Sequence, residues 1–417
     1  MVKKRKRHLR KSIKYSLILI VLVLGLLGIY KLFFSSSKWD AYTSANEDAL
    51  SINNEYCLLY YPKGFKDGSA LLNELCDKEK EEDQIFDYNL ESRGEYIRLS
   101  YDENHAYYLN KDYNTPEFKE LSERGVMILS DYLRYTMKKS GLDYAYTLDF
   151  LEDSYYENIG TDRYECEVAG TDLSCYFKEY DCLVKVPLDD IGKEAGIDVL
   201  SNKDYVKPTY YDADRPIIAL SFDDGPNLNS GTSDKIIDAL YYYDANATFF
   251  TIGYRLNDNA IELIKDSISK GNSYGSHTMN HYDLRSLSKD EMLEEVMGVS
   301  DFFKENLNYT MKLYRPPYGY YNETVDNTIP LAAAFWTVDS EDWSYRDPQK
   351  IYDEVMNDVH DHAIILFNDL YTETAQSLDE YHLIRDLIAK GYQIVTVEAL
   401  ADVQGIELGG GVHLGWN

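Results

Sequence analysis

Short apolar runs recur along the second half of the chain, and segments with helical periodicity lie between them. Two features mark helix ends: Gly271 follows a helical pattern directly, and Ser288 with Glu291 forms the signature of a capping box. Repeated β-α units of this kind predict a parallel sheet covered by helices, either an open sheet or a (β/α) barrel. The predicted strands are 216–222, 247–252, 332–338, 363–367 and 392–397, and the predicted helices are 257–270, 288–306, 347–360 and 377–390.

The first half of the chain has a different pattern. Residues 51–205 are rich in tyrosine and acidic residues, with predicted strands at 56–61 and 182–187 and a helix near 117–139. We interpret them as an α+β accessory domain that either binds polymer or spaces the rest of the chain from a membrane. A polar, proline-bracketed linker follows, and the second domain is predicted over 206–405, with a tail at 406–417.

The amino terminus predicts a membrane anchor. Residues 1–14 form a basic tail, and the nearly unbroken apolar run 15–34 is long enough to cross the hydrocarbon core of a bilayer. The basic cluster should stay in the cytoplasm, which places the rest of the chain outside the cell after a polar stalk at 35–50. A cleaved signal peptide is the alternative, but the run is long for one and no small-x-small cleavage site follows it.

Charge and length narrow the function classes. The 417 residues suggest two or three domains. The formal net charge of the whole chain is −30. Residues 1–38 contribute ten positive charges and no negative ones, so the net charge of the remaining residues is −40. The strongly acidic part of the chain after residue 38 would repel the phosphates of a nucleic acid. Nucleic acid is therefore excluded as a partner. The sequence identifies no protein partner.

The cysteine count limits the disulfides. Cysteines occur at positions 57, 76, 166, 175 and 182, all before the second domain. An odd number outside the cell allows at most two bridges and one spare thiol. The spacing contains no paired metal motif, and it does not fix which cysteines pair.

Candidate chemistry begins at the end of the first strand of the second domain. Asp223 and Asp224 follow the apolar run 216–222, and ligand sites in α/β sheets are built at strand ends. Adjacent residues of an extended backbone point in opposite directions, so one carboxylate can bind a cation while the other holds a proton. The alternative is that these residues form a turn without a functional role, because the sequence Asp-Gly-Pro is common in turns.

Two histidines complete a possible metal site. His277 and His281 would share one face of a helical turn and could bind one metal ion. Together with Asp224 they form a two-imidazole, one-carboxylate set that leaves coordination positions open, which is typical of a catalytic metal site. Taken alone, the pair would be two surface imidazoles.

Three further motifs follow in order. In 315–319, Arg-Pro-Pro-Tyr-Gly, the prolines fix the backbone so that an N–H can face an oxyanion while the arginine pairs with a carboxylate. The segment 336–343 places acidic residues beside aromatic walls at a strand end, and 366–369, Leu-Phe-Asn-Asp, ends the next strand.

These motifs, over roughly residues 208–402, resemble the polysaccharide deacetylases, the NodB-homology group that forms carbohydrate esterase family 4. The resemblance implies a distorted (β/α) barrel that hydrolyses N-acetyl or O-acetyl groups on polysaccharides. It implies these roles: Asp223 as catalytic base; Asp224, His277 and His281 as ligands of a divalent metal, usually Zn²⁺; Arg315 as brace of the base; the Tyr318 backbone N–H as oxyanion donor; Asp342 as the residue that tunes the acid; and Trp343 and Leu366 as the acetyl pocket.

One position departs from the family. Where the resemblance implies a catalytic histidine as acid, this chain has Asn368, which has no proton to give. His360 and His362 lie at the other end of the predicted strand and are no easy substitutes. Three outcomes stay open: water held by Asn368 or a protonated Asp223 supplies the proton, the substrate is an O-acetyl ester, or the domain binds sugar without cutting it.

The leading hypothesis is a membrane-anchored extracellular hydrolase that removes acetyl groups from cell-wall glycan. The expected substrate is N-acetylglucosamine of peptidoglycan, because a tethered enzyme meets the wall first. An O-acetyl polysaccharide esterase and a non-catalytic wall-glycan-binding protein are the alternatives.

Overall fold

The computed structural model describes residues 118, 120–169, 172–197 and 204–415, together with the backbone of seven short strands between residues 40 and 110. The chain divides into two compact units, one made of Met1–Ser122, Cys166–Cys175 and Lys185–Lys203, the other of Glu123–Glu165, Tyr176–Val184 and Asp204–Asn417. The predicted anchor at 15–34 lies outside the described residues. Within the part of the chain that is described, no helix has the length and apolarity needed to cross a membrane.

The first unit contains small sheets. Strands β1, β5, β6 and β7 form an antiparallel sheet in that order. Strands β2, β3 and β4 form a mixed sheet, in which β2 pairs antiparallel and β4 pairs parallel with β3. Cys166 and Cys175 form a disulfide in this unit. The predicted strand 56–61 corresponds to β3. The strands are β1 Asp40–Tyr42, β2 Ala49–Asn53, β3 Cys57–Pro62, β4 Phe86–Asp87, β5 Asn89–Arg93, β6 Tyr96–Ser100 and β7 Ala106–Asn110.

The middle of the chain alternates between the two units. The predicted helix near 117–139 begins later than expected, at Glu123, and the predicted strand 182–187 is confirmed. Cys182, at the start of that strand, has a free thiol. The elements are α1 Glu123–Lys139, α2 Leu148–Asp153, β8 Tyr164–Ala169, β9 Asp172–Phe177, β10 Cys182–Pro187 and α3 Leu188–Ile191.

The second unit is built on a nine-stranded sheet in which every pairing is parallel. Its order is β16-β17-β11-β12-β13-β14-β15-β19, while β18 pairs with residues 217–219 of β11. The two end strands, β16 and β19, do not pair with each other, so the sheet is an open form of a (β/α) barrel. The strands are β11 Ile217–Asp223, β12 Ala247–Thr251, β13 Ser273–Ser276, β14 Leu313–Tyr314, β15 Ala332–Ala334, β16 Val338–Asp339, β17 Ile364–Asn368, β18 Gln393–Val395 and β19 His413–Leu414.

Helices connect these strands, and polar caps fix where two of them begin. The Asn257 side chain accepts the backbone N–H groups of Asn259 and Ala260, and Ser288 forms the predicted capping box with Glu291. The helices are α4 Thr232–Tyr242, α5 Asp258–Ser269, α6 Lys289–Leu307, α7 Glu323–Asp326, α8 Asp342–Tyr345, α9 Pro348–Asp358, α10 Thr372–Leu378, α11 Leu383–Ala389 and α12 Val397–Val403.

Strand β11 shows how the sheet separates core from site. Every residue of the strand is buried. Ile218, Leu220 and Phe222 pack into a core with residues of α4, α6 and α11, while Ile217 and Ala219 belong to a second cluster. Because side chains alternate along a strand, Ser221 and Asp223 point to the side of that second cluster. The catalytic candidate therefore faces away from the helix-covered core.

Four predictions for the second domain and the tail after it differ from the structure. The strand predicted at 332–338 is split into β15 and β16, because the carbonyls of Ala334 and Phe335 accept hydrogen bonds from Arg315. The helix predicted at 377–390 is two helices, since His382 adopts a left-handed conformation between them. The strand predicted at 392–397 ends at Val395, where Thr396 caps α12. Within 406–417, predicted as a tail, strand β19 pairs with β15.

Helix α1 belongs to the second unit and is joined to the rest of it by hydrogen bonds to a buried aspartate. Asp131 accepts hydrogen bonds from the hydroxyls of Tyr205, at 2.8 Å, and Tyr241, at 2.9 Å. Burial raises the pKa of Asp131 to about 6, although Lys207 opposes the rise. The folded protein therefore holds this proton more tightly than the unfolded chain does.

Asp131 should make stability fall as pH rises. The folded pKa lies above the unfolded one, so the free energy of unfolding falls from pH 4 to past pH 6, by about 3 kcal/mol at most for this group. Asparagine cannot ionise, so in Asp131→Asn the free energy of unfolding should not show this contribution to its decrease with pH. Urea unfolding at several pH values across this range measures the difference. Asp301→Asn, an exposed position in α6, is the matched control. Parallel pH profiles for wild type and Asp131→Asn would contradict the assignment.

Candidate active site

The candidate base, Asp223, is held by a buried arginine. Nη1 of Arg315 donates to Oδ1 of Asp223 at 2.8 Å, and Nη2 donates to the hydroxyl of Ser221 at 2.9 Å. The guanidinium also donates to the carbonyls of Ala334 and Phe335, at 2.8 and 3.0 Å. Arg315 is fully buried, so these partners fix its plane and, through it, the carboxylate.

Burial and charge oppose each other at Asp223. Removal from water raises the pKa of its carboxyl, and the paired Arg315 guanidinium lowers it, leaving the pKa above its ordinary value. Ser221, the second partner of Arg315, was not identified from the sequence. The available signal was its position two residues before Asp223 in one strand, which places both side chains on the same face.

Asp224, His277 and His281 come together as a possible metal-binding group. Nε2 of His277 lies 3.5 Å from Oδ1 of Asp224, and Nε2 of His281 lies 3.4 Å from the same oxygen. That oxygen is buried and has no hydrogen-bond partner among the described residues. A buried anionic oxygen without a partner is costly, so two imidazole nitrogens facing it fit a shared divalent cation.

The ring orientation of His277 supports the same interpretation. Its Nδ1 lies 2.8 Å from the carbonyl oxygen of Arg315, so Nδ1 carries the proton and Nε2 is left as an acceptor. Burial lowers the pKa of His277 to about 4, which keeps the ring neutral, as a metal ligand must be.

The backbone brings the two histidines together without a helix, which corrects the helical turn predicted from their spacing. β13 ends at Ser276, and the residues after it form an irregular turn. Thr278 and His281 have φ values of 68° and 59°. Asp224, at 74°, and Tyr318, at 62°, are left-handed too. Non-glycine residues in this conformation store strain, and four of them meet at one site.

The Arg-Pro-Pro-Tyr-Gly segment turns sharply beside the metal group. The ring of Tyr318 meets that of His281 edge-on at 4.7 Å. The N–H of Gly319 donates to the carbonyl of Pro316, and a Cβ at Gly319 would approach the Trp336 ring to 2.9 Å. Glycine is therefore required for this turn, which sets the direction of the Tyr318 backbone.

Position 368, where the family resemblance implies a histidine as the general acid, holds Asn368, and Asn368 still contacts Asp342. Nδ2 of Asn368 donates to Oδ1 of Asp342 at 2.7 Å, and its backbone N–H donates to Oδ2 at 2.7 Å. Thr374, which sequence reasoning missed, donates its hydroxyl to the same oxygen at 2.6 Å. Burial raises the pKa of Asp342 to about 6 against these hydrogen bonds. Asn368 thus occupies the place of a group that Asp342 would orient.

The two predicted pocket residues differ in exposure. Leu366 is buried in β17 and lies two positions before Asn368, so both side chains leave the same face of the sheet. Trp343 follows Asp342 in α8 and is 56% exposed. The exposed indole of Trp343 is free to move over a bound acetyl group, whereas the buried Leu366 side chain would form a fixed wall of the pocket.

Asp369 is a further buried acid that the sequence did not single out. Its Oδ2 accepts the hydroxyl of Ser233 at 2.8 Å, and its N–H donates to the carbonyl of Asp223. Burial raises the pKa of Asp369 to about 7. Its carboxyl lies against Gly225, where a Cβ would collide with it.

Gly225→Ala should therefore disturb the strand end that carries both candidate aspartates. The added methyl forces the Asp369 carboxyl or the backbone after Asp224 to move, at a cost of about 1–3 kcal/mol in the free energy of unfolding. Gly409→Ala, where nothing lies within 4 Å of the added Cβ, is the matched control and should be neutral. Urea unfolding compares the two, and equal stabilities would contradict the packing.

Parallel strands carrying a braced aspartate and an Asp-His-His group at their carboxyl ends define an α/β protein with a candidate hydrolytic metal site. A family profile described as "Polysaccharide deacetylase" matches residues 210–332. The chain is 31% identical over 190 residues to a peptidoglycan-N-acetylglucosamine deacetylase of Bacillus cereus, covering 44% of this chain and 87% of that protein. The chain belongs to the polysaccharide deacetylase family.

Other relatives are longer. The chain is 36% identical over 243 residues to the peptidoglycan-N-acetylmuramic acid deacetylase PdaC of Bacillus subtilis, covering 55% of this chain and 51% of that protein. It is 37% identical to the solved structure of PdaC, covering 47% of this chain and 94% of that one, with a TM-score of 0.44. The chain thus spans about half the length of the first curated relatives it matches.

Proposed function

We propose that this protein is a metal-dependent hydrolase that removes acetyl groups from cell-wall polysaccharide, with N-acetylglucosamine of peptidoglycan as its substrate. The observation that carries the proposal is that two groups lie together at the carboxyl ends of neighbouring strands. One is Asp223 with Arg315, and the other consists of Asp224, His277 and His281. Peptidoglycan deacetylases among its relatives support the substrate class.

Each residue has a role in the proposed mechanism. Asp223, oriented by Arg315, accepts the proton of the attacking water. The Tyr318 backbone N–H donates to the developing oxyanion, and Leu366 with Trp343 receives the acetyl methyl group. A divalent cation bound by Asp224, His277 and His281, for which nitrogen and oxygen ligands favour Zn²⁺, would polarise the acetyl carbonyl and acidify the water.

The location of the protein is part of the proposal. The basic tail and apolar run of residues 1–34 support a single membrane anchor with the amino terminus in the cytoplasm. The two units would then lie outside the cell, within reach of the wall.

Asn368 favours a second candidate. An amine leaves only after protonation, and asparagine supplies no proton, whereas the alkoxide from an O-acetyl ester needs less help. An O-acetyl polysaccharide esterase is therefore the alternative activity, and a wall-glycan-binding protein is the non-catalytic one.

The test is release of free amine from N-acetylated peptidoglycan by the full-length protein. We expect chelation to stop the release and Zn²⁺ to restore it in the wild type but not in Asp224→Ala, which lacks one proposed ligand. Release of acetate from O-acetylated glycan, without release of amine from the N-acetylated one, would identify the esterase. Release that survives both chelation and Asp224→Ala would overturn metal-dependent hydrolysis.

A further inference from the structure

The turn that carries both candidate histidine ligands has no regular secondary structure, so other contacts must hold its backbone. Thr278 and His281 have left-handed φ values, which non-glycine residues adopt only at a cost. All five backbone N–H groups of residues 277–281 donate a hydrogen bond. The acceptors of these five bonds therefore decide where the two imidazole rings lie.

One residue of helix α6, Glu295, receives three hydrogen bonds from this turn. The Met279 N–H donates to the backbone carbonyl of Glu295 at 2.8 Å, and the Asn280 N–H donates to Oε2 at 2.8 Å. Nδ2 of Asn280 donates to Oε1 of the same carboxylate at 2.7 Å. The other three acceptors lie on β12, on β13 or in the turn itself: Thr251, Ser276 and Thr278.

Glu295 is an unusual acid for its helix because its side chain is buried. It is 7% exposed, whereas the other acidic residues of α6 are exposed. A carboxylate taken out of water costs free energy unless hydrogen bonds replace its hydration. Both oxygens of Glu295 accept short hydrogen bonds from Asn280, and a charged acceptor makes such bonds stronger than a neutral one. The burial of Glu295 is therefore tied to its contacts with the turn.

Packing holds the same turn close to helix α6. A Cβ at Gly298, one helical turn after Glu295, would lie 3.0 Å from Cγ of Met279. A Cβ at Gly253, just after β12, would collide with Sδ of Met279. Met279 is thus enclosed between the helix and the segment after β12. Hydrogen bonds and packing together give the turn one position relative to α6.

The position of the turn matters most for His281. The His277 ring is fixed directly, because its Nδ1 lies 2.8 Å from the carbonyl oxygen of Arg315. The His281 ring meets Tyr318 edge-on and has no such hydrogen bond among the described residues. Its place in the metal group therefore depends on the backbone that Glu295 holds.

We propose that Glu295 is a positioning residue for the metal site: through Asn280, its carboxylate sets where His281 meets the cation. The inference rests on the proposed function and deepens it, because it assigns a residue outside the ligand set to metal binding.

The test is the Zn²⁺ affinity of the full-length protein, measured by competition with a chromogenic chelator and so without turnover. We expect Glu295→Ala to weaken Zn²⁺ binding about 10- to 100-fold, the usual effect of losing a group that orients a metal ligand. Glu295→Gln keeps one acceptor oxygen but turns an NH₂ group towards a donor, so its loss should be smaller. Glu294→Ala, an exposed acid beside it in the same helix, is the matched control and should bind Zn²⁺ like the wild type.

Asn280→Ala provides an independent measurement at an exposed position and leaves helix α6 unchanged. It removes the bond from Nδ2 but keeps the one from the backbone N–H, so Zn²⁺ affinity should fall by a smaller factor than in Glu295→Ala. With Co²⁺ at saturation, the visible absorption of both variants should differ from that of the wild type, because His281 meets the ion from a changed position. A purely structural role for Glu295 would lower thermal stability without changing that absorption.

The outcomes separate this inference from the proposed function. Wild-type Zn²⁺ affinity and Co²⁺ absorption in both Glu295→Ala and Asn280→Ala would overturn the positioning role and leave metal-dependent hydrolysis intact. A wild-type protein that bound no Zn²⁺ would overturn the proposed function, and the positioning role with it. If Glu295→Ala fails to fold, Asn280→Ala decides by the same two measurements.

Discussion

Asn368→His should raise the rate of amide hydrolysis by about 10² to 10⁴, the usual contribution of a positioned general acid. Asn368 already donates to Asp342 at 2.7 Å, and Thr374 fixes the second oxygen of that carboxylate. A histidine at this position would donate one ring N–H to Asp342 and direct its other nitrogen away from it. The ring would then protonate the departing amine, which asparagine cannot do.

The measurement is kcat/KM for amine release from N-acetylated chitooligosaccharide, compared with ester hydrolysis on an O-acetylated glycan. The gain should be smaller on the ester, because its leaving group needs less protonation. Asn368→Gln, which adds length but no titratable proton, should give no gain. If Asn368→His binds metal and glycan normally but gains no activity, the catalytic interpretation fails and a glycan-binding role takes its place.

The parts of the site that the sequence predicted depend on local rules. The apolar run before Asp223 has the length and flanking prolines of a buried strand. Strand alternation does not separate the two aspartates as predicted, because β11 ends at Asp223 and Asp224 has a left-handed backbone. The capping box at Ser288 is a local hydrogen-bond pattern, and the structure contains it. Asp224, His277 and His281 were grouped by residue type, and the fold brings them together.

The parts that were missed depend on tertiary structure. Strand β14 has two residues, too few for a period, and β13, Ser273–Ser276, consists of two serines, a tyrosine and a glycine, without the apolar pattern of a buried strand. The histidines converge through left-handed residues that no spacing rule anticipates. Ser221 and Thr374 matter only because Arg315 and Asp342 happen to reach them.

Asp223→Asn should lower kcat for deacetylation by about 10² to 10⁴, because an amide cannot accept the proton of the attacking water. The change is nearly isosteric, and an asparagine oxygen can still accept the hydrogen bond from Nη1 of Arg315. The proposed metal ligands, Asp224 and the two histidines, are unchanged. We therefore expect a fall in kcat with little change in Zn²⁺ stoichiometry, measured by steady-state amine release and by metal analysis.

Asp358→Asn, an exposed aspartate at the end of α9, makes the same chemical change outside the site and should leave kcat unaltered. The comparison separates the base from the metal, since loss of metal from Asp223→Asn would mean that Asp223 supports the cation rather than the water. Turnover close to wild type with metal retained would show that another group accepts the proton. Asp369 would then be the next candidate, because it is a buried carboxyl whose N–H donates to the Asp223 carbonyl.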